Sequence, residues 1–182
     1  MNKFAIMTLC LAGSLPLAAT AQETARTTFG PAAGDREFSL SGTGSSDRKF
    51  DSGNFGASGE LGWYQDRHFV LGIRQSVNYG SIKGESLKDD FWNGSTRGYM
   101  NYHFGETRLR PFLGGSLGFI YGDGVKNSAF AGLEGGAKYY VLPKTYLLGR
   151  VEYQWFFNRS SDASDAFKDG AWAYTVGMGY NF

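Results

Sequence analysis

The thirteen residues from Gly170 to Phe182 (GAWAYTVGMGYNF) restrict the fold more than any other stretch of the chain. Counting back in twos from Phe182 gives Tyr180, Met178, Val176, Tyr174 and Trp172, all large and apolar. The residues between them, Asn181, Gly179, Gly177, Thr175, Ala173 and Ala171, are small or polar. Side chains of a strand point alternately to its two faces, so this strict period of two predicts a strand with one greasy face and one small, polar face. A soluble sandwich strand also alternates, but rarely places a bulky Phe last on the greasy face. Alternating strands of about 10 residues, apolar outward and polar inward, are what a transmembrane β-barrel requires.

The same alternation predicts seven further strands, over Glu37–Gly44, Asn54–Tyr64, Phe69–Tyr79, Ser95–Phe104, Arg110–Tyr121, Ala129–Val141 and Thr145–Phe157. Helical periodicity is absent after the first 21 residues. The expected fold class is therefore all-β, an eight-stranded antiparallel transmembrane barrel with an up-and-down meander. The connections test this independently. Gln65–His68, Gly105–Leu109 and Leu142–Lys144 are short, whereas Ser45–Gly53, Gly80–Gly94, Gly122–Ser128 and Asn158–Asp169 are longer and rich in charge, Ser and Gly. Outer-membrane barrels have short periplasmic turns and longer outside loops, so the alternation also orients the chain. Two aromatic girdles follow: Trp63, Phe69, Phe104, Tyr139, Tyr146 and Phe182 at the short-turn end, and Phe55, Tyr79, Tyr121, Trp155, Phe157 and Trp172 at the long-loop end. Rings with an apolar body and a polar edge favour the headgroup level.

Met1 to Ala21 reads as a secretory signal: Lys3 at the start, an apolar core over Phe4–Ala19, and Ala19-Thr20-Ala21 as an A-x-A cleavage pattern. Residues 22–36 read as a flexible lead-in and 37–182 as the barrel domain. The single cysteine, Cys10, lies inside the signal, so the exported chain has no disulfide, thiolate ligand or cysteine nucleophile. Removing Lys3 with the signal leaves 17 basic and 17 acidic side chains, a balance that gives no reason to expect nucleic-acid binding.

With these residues laid out, the chain resembles the small eight-stranded bacterial outer-membrane barrels, the OmpA-like transmembrane domain and the OmpX/Ail group. The resemblance is carried by the signal peptide, by Arg110-Pro111-Phe112-Leu113-Gly114-Gly115-Ser116-Leu117-Gly118 and by Val176-Gly177-Met178-Gly179-Tyr180-Asn181-Phe182. It covers nearly all of the exported chain. The last stretch resembles the assembly signal of such barrels, with Tyr180 and Phe182 in its aromatic positions. The resemblance implies a monomer in the outer membrane of a Gram-negative bacterium, inserted by the barrel assembly machinery and in contact with membrane lipid and lipopolysaccharide. Its loops would meet host or surface ligands, and no periplasmic peptidoglycan-binding domain would follow Phe182. The fold specifies little about function, since it serves as anchor, adhesin, lipid enzyme and small channel.

Seven charged residues fall on the inward face: Glu60, Arg74, Arg97, Glu134, Lys138, Arg150 and Glu152. An eight-stranded barrel is only wide enough for its own side chains, so these charges are expected to pair across the lumen rather than line an ion path. A lipid-modifying enzyme would need a histidine base beside a serine at the outer end. His68 and His103 both fall at the short-turn end, which disfavours that reading, and no catalytic, cofactor or metal residues are assigned. Asp47, Asp51, Glu85, Asp89, Asp90, Asp123, Asp162, Asp165 and Asp169 are read as solvated loop charge without EF-hand spacing. Lys83, Lys88, Lys126, Arg159 and Lys168 are weak candidates for lipopolysaccharide phosphates, and Phe91, Trp92 and Phe130 are assigned to the outer girdle.

Overall fold

A computed structural model describes residues 28–47, 53–84, 87–122, 127–157 and 170–182. They form eight strands: β1 (Arg36–Asp47), β2 (Gly53–Tyr64), β3 (Phe69–Gly84), β4 (Leu87–His103), β5 (Leu109–Gly122), β6 (Ser128–Tyr140), β7 (Thr145–Phe156) and β8 (Ala171–Asn181). Each pairs antiparallel with the next, and β8 pairs with β1 to close the barrel. Closure leaves no edge strand, so the ladder satisfies its own backbone groups, as a hydrocarbon environment demands. Following paired residues round the wall from Glu37 leads through Gly62, Gly72, Tyr99, Ser116, Gly132, Gln154 and Ala171 back to Asp47, ten residues further along β1. This stagger tilts the strands and sets which side chains share a level.

The outer wall is apolar. Phe38, Leu40, Ile73, Met100, Leu113, Leu117, Leu133, Leu147, Val176 and Met178 are all exposed on it. Such a continuous apolar face is incompatible with water over a barrel's whole girth and is suited to lipid chains. Rings cluster toward the long-loop end of the belt: Tyr79 lies 5.9 Å from Phe55 and 5.2 Å from Trp92, and Tyr153 lies 4.8 Å from Trp172. Trp63, Phe104, Tyr139 and Phe182 are exposed at the other end.

Two girdle assignments are corrected. Tyr146 is 1% exposed and points into the lumen, because Leu147, not Tyr146, takes the outward parity of β7. Phe130 is likewise 1% exposed and faces inward, where the Arg97 guanidinium lies 4.8 Å from its ring centre. The expected Gly80–Gly94 loop is also corrected. Its ends continue the ladder, Gly80 pairing with Phe91 and Gly84 with Leu87, so β3 and β4 form a hairpin that runs past the belt.

The last part of the lead-in, residues 28–35, folds under the short-turn end. Gly30 N–H donates to the Pro143 carbonyl at 2.9 Å and Gly34 N–H to the Tyr64 carbonyl at 2.9 Å. Phe29 packs on the inward cluster of Phe112, Tyr140, Tyr146 and Leu148, with the Arg108 guanidinium 4.5 Å from its ring centre. Asp35 accepts from Ala32 N–H and meets Lys144 Nζ at 3.3 Å. The signal peptide, Asp51, Glu85, Asp123, Lys126 and residues 158–169 lie outside the described residues, as do the side chains of Asp47, Lys83, Lys88, Asp89, Asp90 and Phe91.

Candidate functional site

All seven charged residues expected on the inward face are buried in the lumen. At mid-barrel, six of them form one network. Arg74 on β3 reaches across to Glu134 on β6 with two parallel hydrogen bonds of 2.8 and 3.0 Å. Its Nε also lies 3.1 Å from Glu60, and its Nη1 lies 3.6 Å from Glu152. Arg150 on β7 grips Glu60 on β2 with bonds of 3.1 and 2.7 Å and donates to Thr175 at 3.2 Å. Arg97 donates to Glu152 at 2.6 Å and to Ser95 at 2.7 Å. Asn101 adds a bond of 2.8 Å to Glu134, and Ser116 and Gln154 both donate to Glu152. Bidentate guanidinium–carboxylate pairs are strong and directional, and two of them cross the lumen from wall to wall.

Lys138, the seventh, belongs to a different arrangement nearer the short turns. The Glu37 carboxylate accepts from Lys138 Nζ at 2.5 Å, Tyr64 Oη at 2.9 Å, Tyr146 Oη at 3.0 Å and Tyr99 Oη at 3.1 Å. The ammonium also lies 4.6 Å from the centre of the Tyr146 ring and 5.4 Å from that of Tyr64, which adds cation–π attraction. Below them Tyr140 donates to Asn181 Oδ1 at 2.9 Å, and the His103 ring lies 5.2 Å from that of Phe112. Glycines make room for these rings. A Cβ on Gly72 would collide with the Tyr99 ring, and one on Gly179 with the Tyr146 ring.

Glu37 and Arg110 were not picked out from the sequence, although both share the parity of the inward residues on their strands. The inward aromatics Tyr64, Phe112, Tyr140 and Tyr146 were missed because an aromatic on a barrel strand is more readily assigned to a girdle. Runs such as Tyr139-Tyr140 offer one ring to each face. His103 is buried at the short-turn end, and His68 sits in the Gln65–His68 turn, where Asp66 accepts from its backbone N–H at 2.6 Å. Two backbone donors, from His68 and Phe69, hold the Asp66 carboxyl below its ordinary value. Among the described residues no group of three or more His, Cys, Asp or Glu is arranged to hold a metal ion. On the outer wall, Gln75, Thr96 and Tyr121 close a small ring of hydrogen bonds, with Thr96 donating to Gln75 at 2.6 Å and Gln75 to Tyr121 at 2.8 Å. The ring satisfies its own polar atoms in an apolar setting.

No family model matches the chain, and no curated protein matches its sequence. Solved structures do match. The Neisserial surface protein A (NspA) is similar with a TM-score of 0.59 and 16% identity, over 81% of this chain and 96% of that one. The outer membrane protein OprG from Pseudomonas aeruginosa is similar with a TM-score of 0.63 and 12% identity, over 84% and 98%. Ail, the attachment invasion locus protein of Yersinia pestis, in complex with the heparin analogue sucrose octasulfate, gives 0.53 and 14% identity over 82% and 99%. This chain thus has the fold of the small eight-stranded outer-membrane barrels of the OmpA and OmpX/Ail type.

Proposed function

We propose that the chain is an integral outer-membrane protein whose barrel is a closed, rigid support for a structural or surface-interaction role carried by its long-loop end. The observation that carries this reading is the wall-to-wall pairing of Arg74 with Glu134 and of Arg150 with Glu60. A solute passing through would have to part buried ion pairs, and breaking one by removing a partner costs about 3–5 kcal/mol. The β3–β4 hairpin that runs past the apolar belt supports a role at the surface. The neighbours, Ail with a sulfated sugar bound and a protein named for the Neisserial surface, support the same direction. Lipopolysaccharide and surface ligands are the partners this reading implies, with assembly machinery engaging Tyr180 and Phe182. The positions of His68 and His103, both remote from the long-loop end, favour a non-enzymatic protein over a lipid-modifying one.

The test is conductance of the refolded barrel in a planar bilayer, with a heat-dependent gel shift as the control for folding. Silence from folded protein is expected. Steady steps that change when Arg74 or Glu134 is neutralised would replace this reading with that of a narrow channel. Phe182→Ser is expected to lower the amount of protein in the outer membrane while export continues; unchanged levels would remove Phe182 from the assembly signal.

A further inference from the structure

We propose that the short-turn end of the lumen is a binding site for a small monovalent anion of the chloride class, centred on Arg110 and closed by residues 28–35. Among the described residues the barrel buries five cationic side chains, Arg74, Arg97, Arg110, Lys138 and Arg150, and four carboxylates, Glu37, Glu60, Glu134 and Glu152. The mid-barrel network and the Glu37–Lys138 pair account for all of these except Arg110. Arg110 is 1% exposed. Its Nη2 donates to the Arg67 backbone carbonyl, which satisfies one donor without neutralising the charge. Its Nε has no hydrogen-bond partner, and none of the ion pairs among the described residues includes it. A guanidinium in such a place needs a counter-charge.

A second group points the same way. Asn181 is fully buried, and its Nδ2 also has no hydrogen-bond partner, while its Oδ1 is occupied by Tyr140 Oη. Tyr140 is in turn an electrostatic neighbour of Arg110. His103 lies at the same end, but its Nδ1 faces the His68 carbonyl at 3.2 Å. In the neutral ring Nδ1 is therefore the donor and Nε2 an acceptor, so His103 stands outside the anion's donor set.

Residues 28–35 supply the floor. Gly30 has a φ of 95°, in the left-handed region, and its backbone abuts the Arg110 guanidinium so closely that a Cβ would overlap it. Pro31 is buried beside it, and Phe29 covers the aromatic cluster. The single excess cation selects one negative charge, and the close floor selects a small ion.

The test uses the full chain refolded in non-ionic detergent, with sodium gluconate replaced stepwise by sodium chloride at constant ionic strength. The readouts are the 15N shifts of Arg110 Nε and Asn181 Nδ2 and the midpoint of urea unfolding. Saturable shifts at both nitrogens and a midpoint that rises with the same half-saturation are expected, since binding to the folded state stabilises it. Arg110→Met is expected to weaken the response by about tenfold or more, with Arg110→Lys in between. Sulfate at matched ionic strength is expected to give no saturation at either nitrogen. An unsaturable response of the unaltered protein overturns the proposal without recourse to any variant. An equal midpoint response in folded Arg110→Met overturns it as well.

Discussion

At mid-barrel the lumen is crossed by three guanidinium groups and three carboxylates, whereas toward the short turns it is filled by rings gathered round one carboxylate. The first arrangement depends on charge matching. Arg74 touches Glu60, Glu134 and Glu152, so removing it takes the bidentate partner from Glu134 and weakens the balance at the other two. The second depends on shape. Tyr99 and Tyr146 fit because Gly62, Gly72 and Gly179 have no side chain to meet them, and their hydroxyls converge with that of Tyr64 on Glu37. The two levels both fill a narrow polar interior, but they should fail differently. The charged level should be sensitive to one lost partner and tolerant of paired replacement. The aromatic level should tolerate a lost hydroxyl and resist an added methyl.

The largest effect is expected from Arg74→Met, which should destabilise the refolded barrel by about 3–5 kcal/mol in urea titrations. Adding Glu134→Leu should restore part of that loss, and a double-mutant cycle reads the coupling directly. Simple additivity of the two substitutions would show that the charges do not act as a unit. Next comes Gly72→Ala, expected to cost about 1–3 kcal/mol by overpacking against Tyr99 and the Leu61 carbonyl. Gly149→Ala on the outer wall, where an added Cβ meets nothing within 4 Å, is the control and should be close to neutral. Equal losses at Gly72 and Gly149 would mean that backbone conformation, not ring packing, requires glycine in this barrel.

Tyr140→Phe should cost about 0.5–1.5 kcal/mol, since it leaves the buried Asn181 Oδ1 without its donor. The smallest effect concerns the Gln65–His68 turn. The Asp66 carboxyl is held below its ordinary value of 3.8 by the His68 and Phe69 backbone donors, so its contribution is present above that value. It is lost as pH falls through the lowered value in the folded state. Amide exchange at His68 and Phe69 should therefore quicken only in strong acid, and Asp66→Asn should remove most of that pH dependence. Unaltered exchange in Asp66→Asn would detach the turn from this carboxylate.

Much of the barrel was legible because parity along a strand is a local property. The pleat sends Leu147 outward and Arg150 inward whatever the neighbours do, so the apolar wall and the seven inward charges could be read off residue by residue. Depth and partnership are not local. Phe130 and Tyr146 were assigned to girdles because a ring near a strand end suits the headgroup level, although the outward parity of Leu133 and Leu147 already places both inside. The β3–β4 hairpin was read as a loop because its polar, charged residues have no apolar face. Backbone pairing between the two arms carries it instead.

The sequence by itself determined the strand number, the two faces and the alternation of short and long connections, all of which follow from period-two chemistry and turn composition. Only the closed tertiary structure decided which charges meet across the lumen. In the local register Glu60 lies opposite Arg74, but Arg74 also lies opposite Arg97 and Glu134 opposite Glu152, like-charged neighbours that repel. Closure with a stagger of ten residues brings Arg74 against Glu134 and Arg150 against Glu60, from strands three apart round the barrel. Coulomb attraction between these buried groups then outweighs repulsion along the wall, and no stretch of the chain read alone contains that geometry.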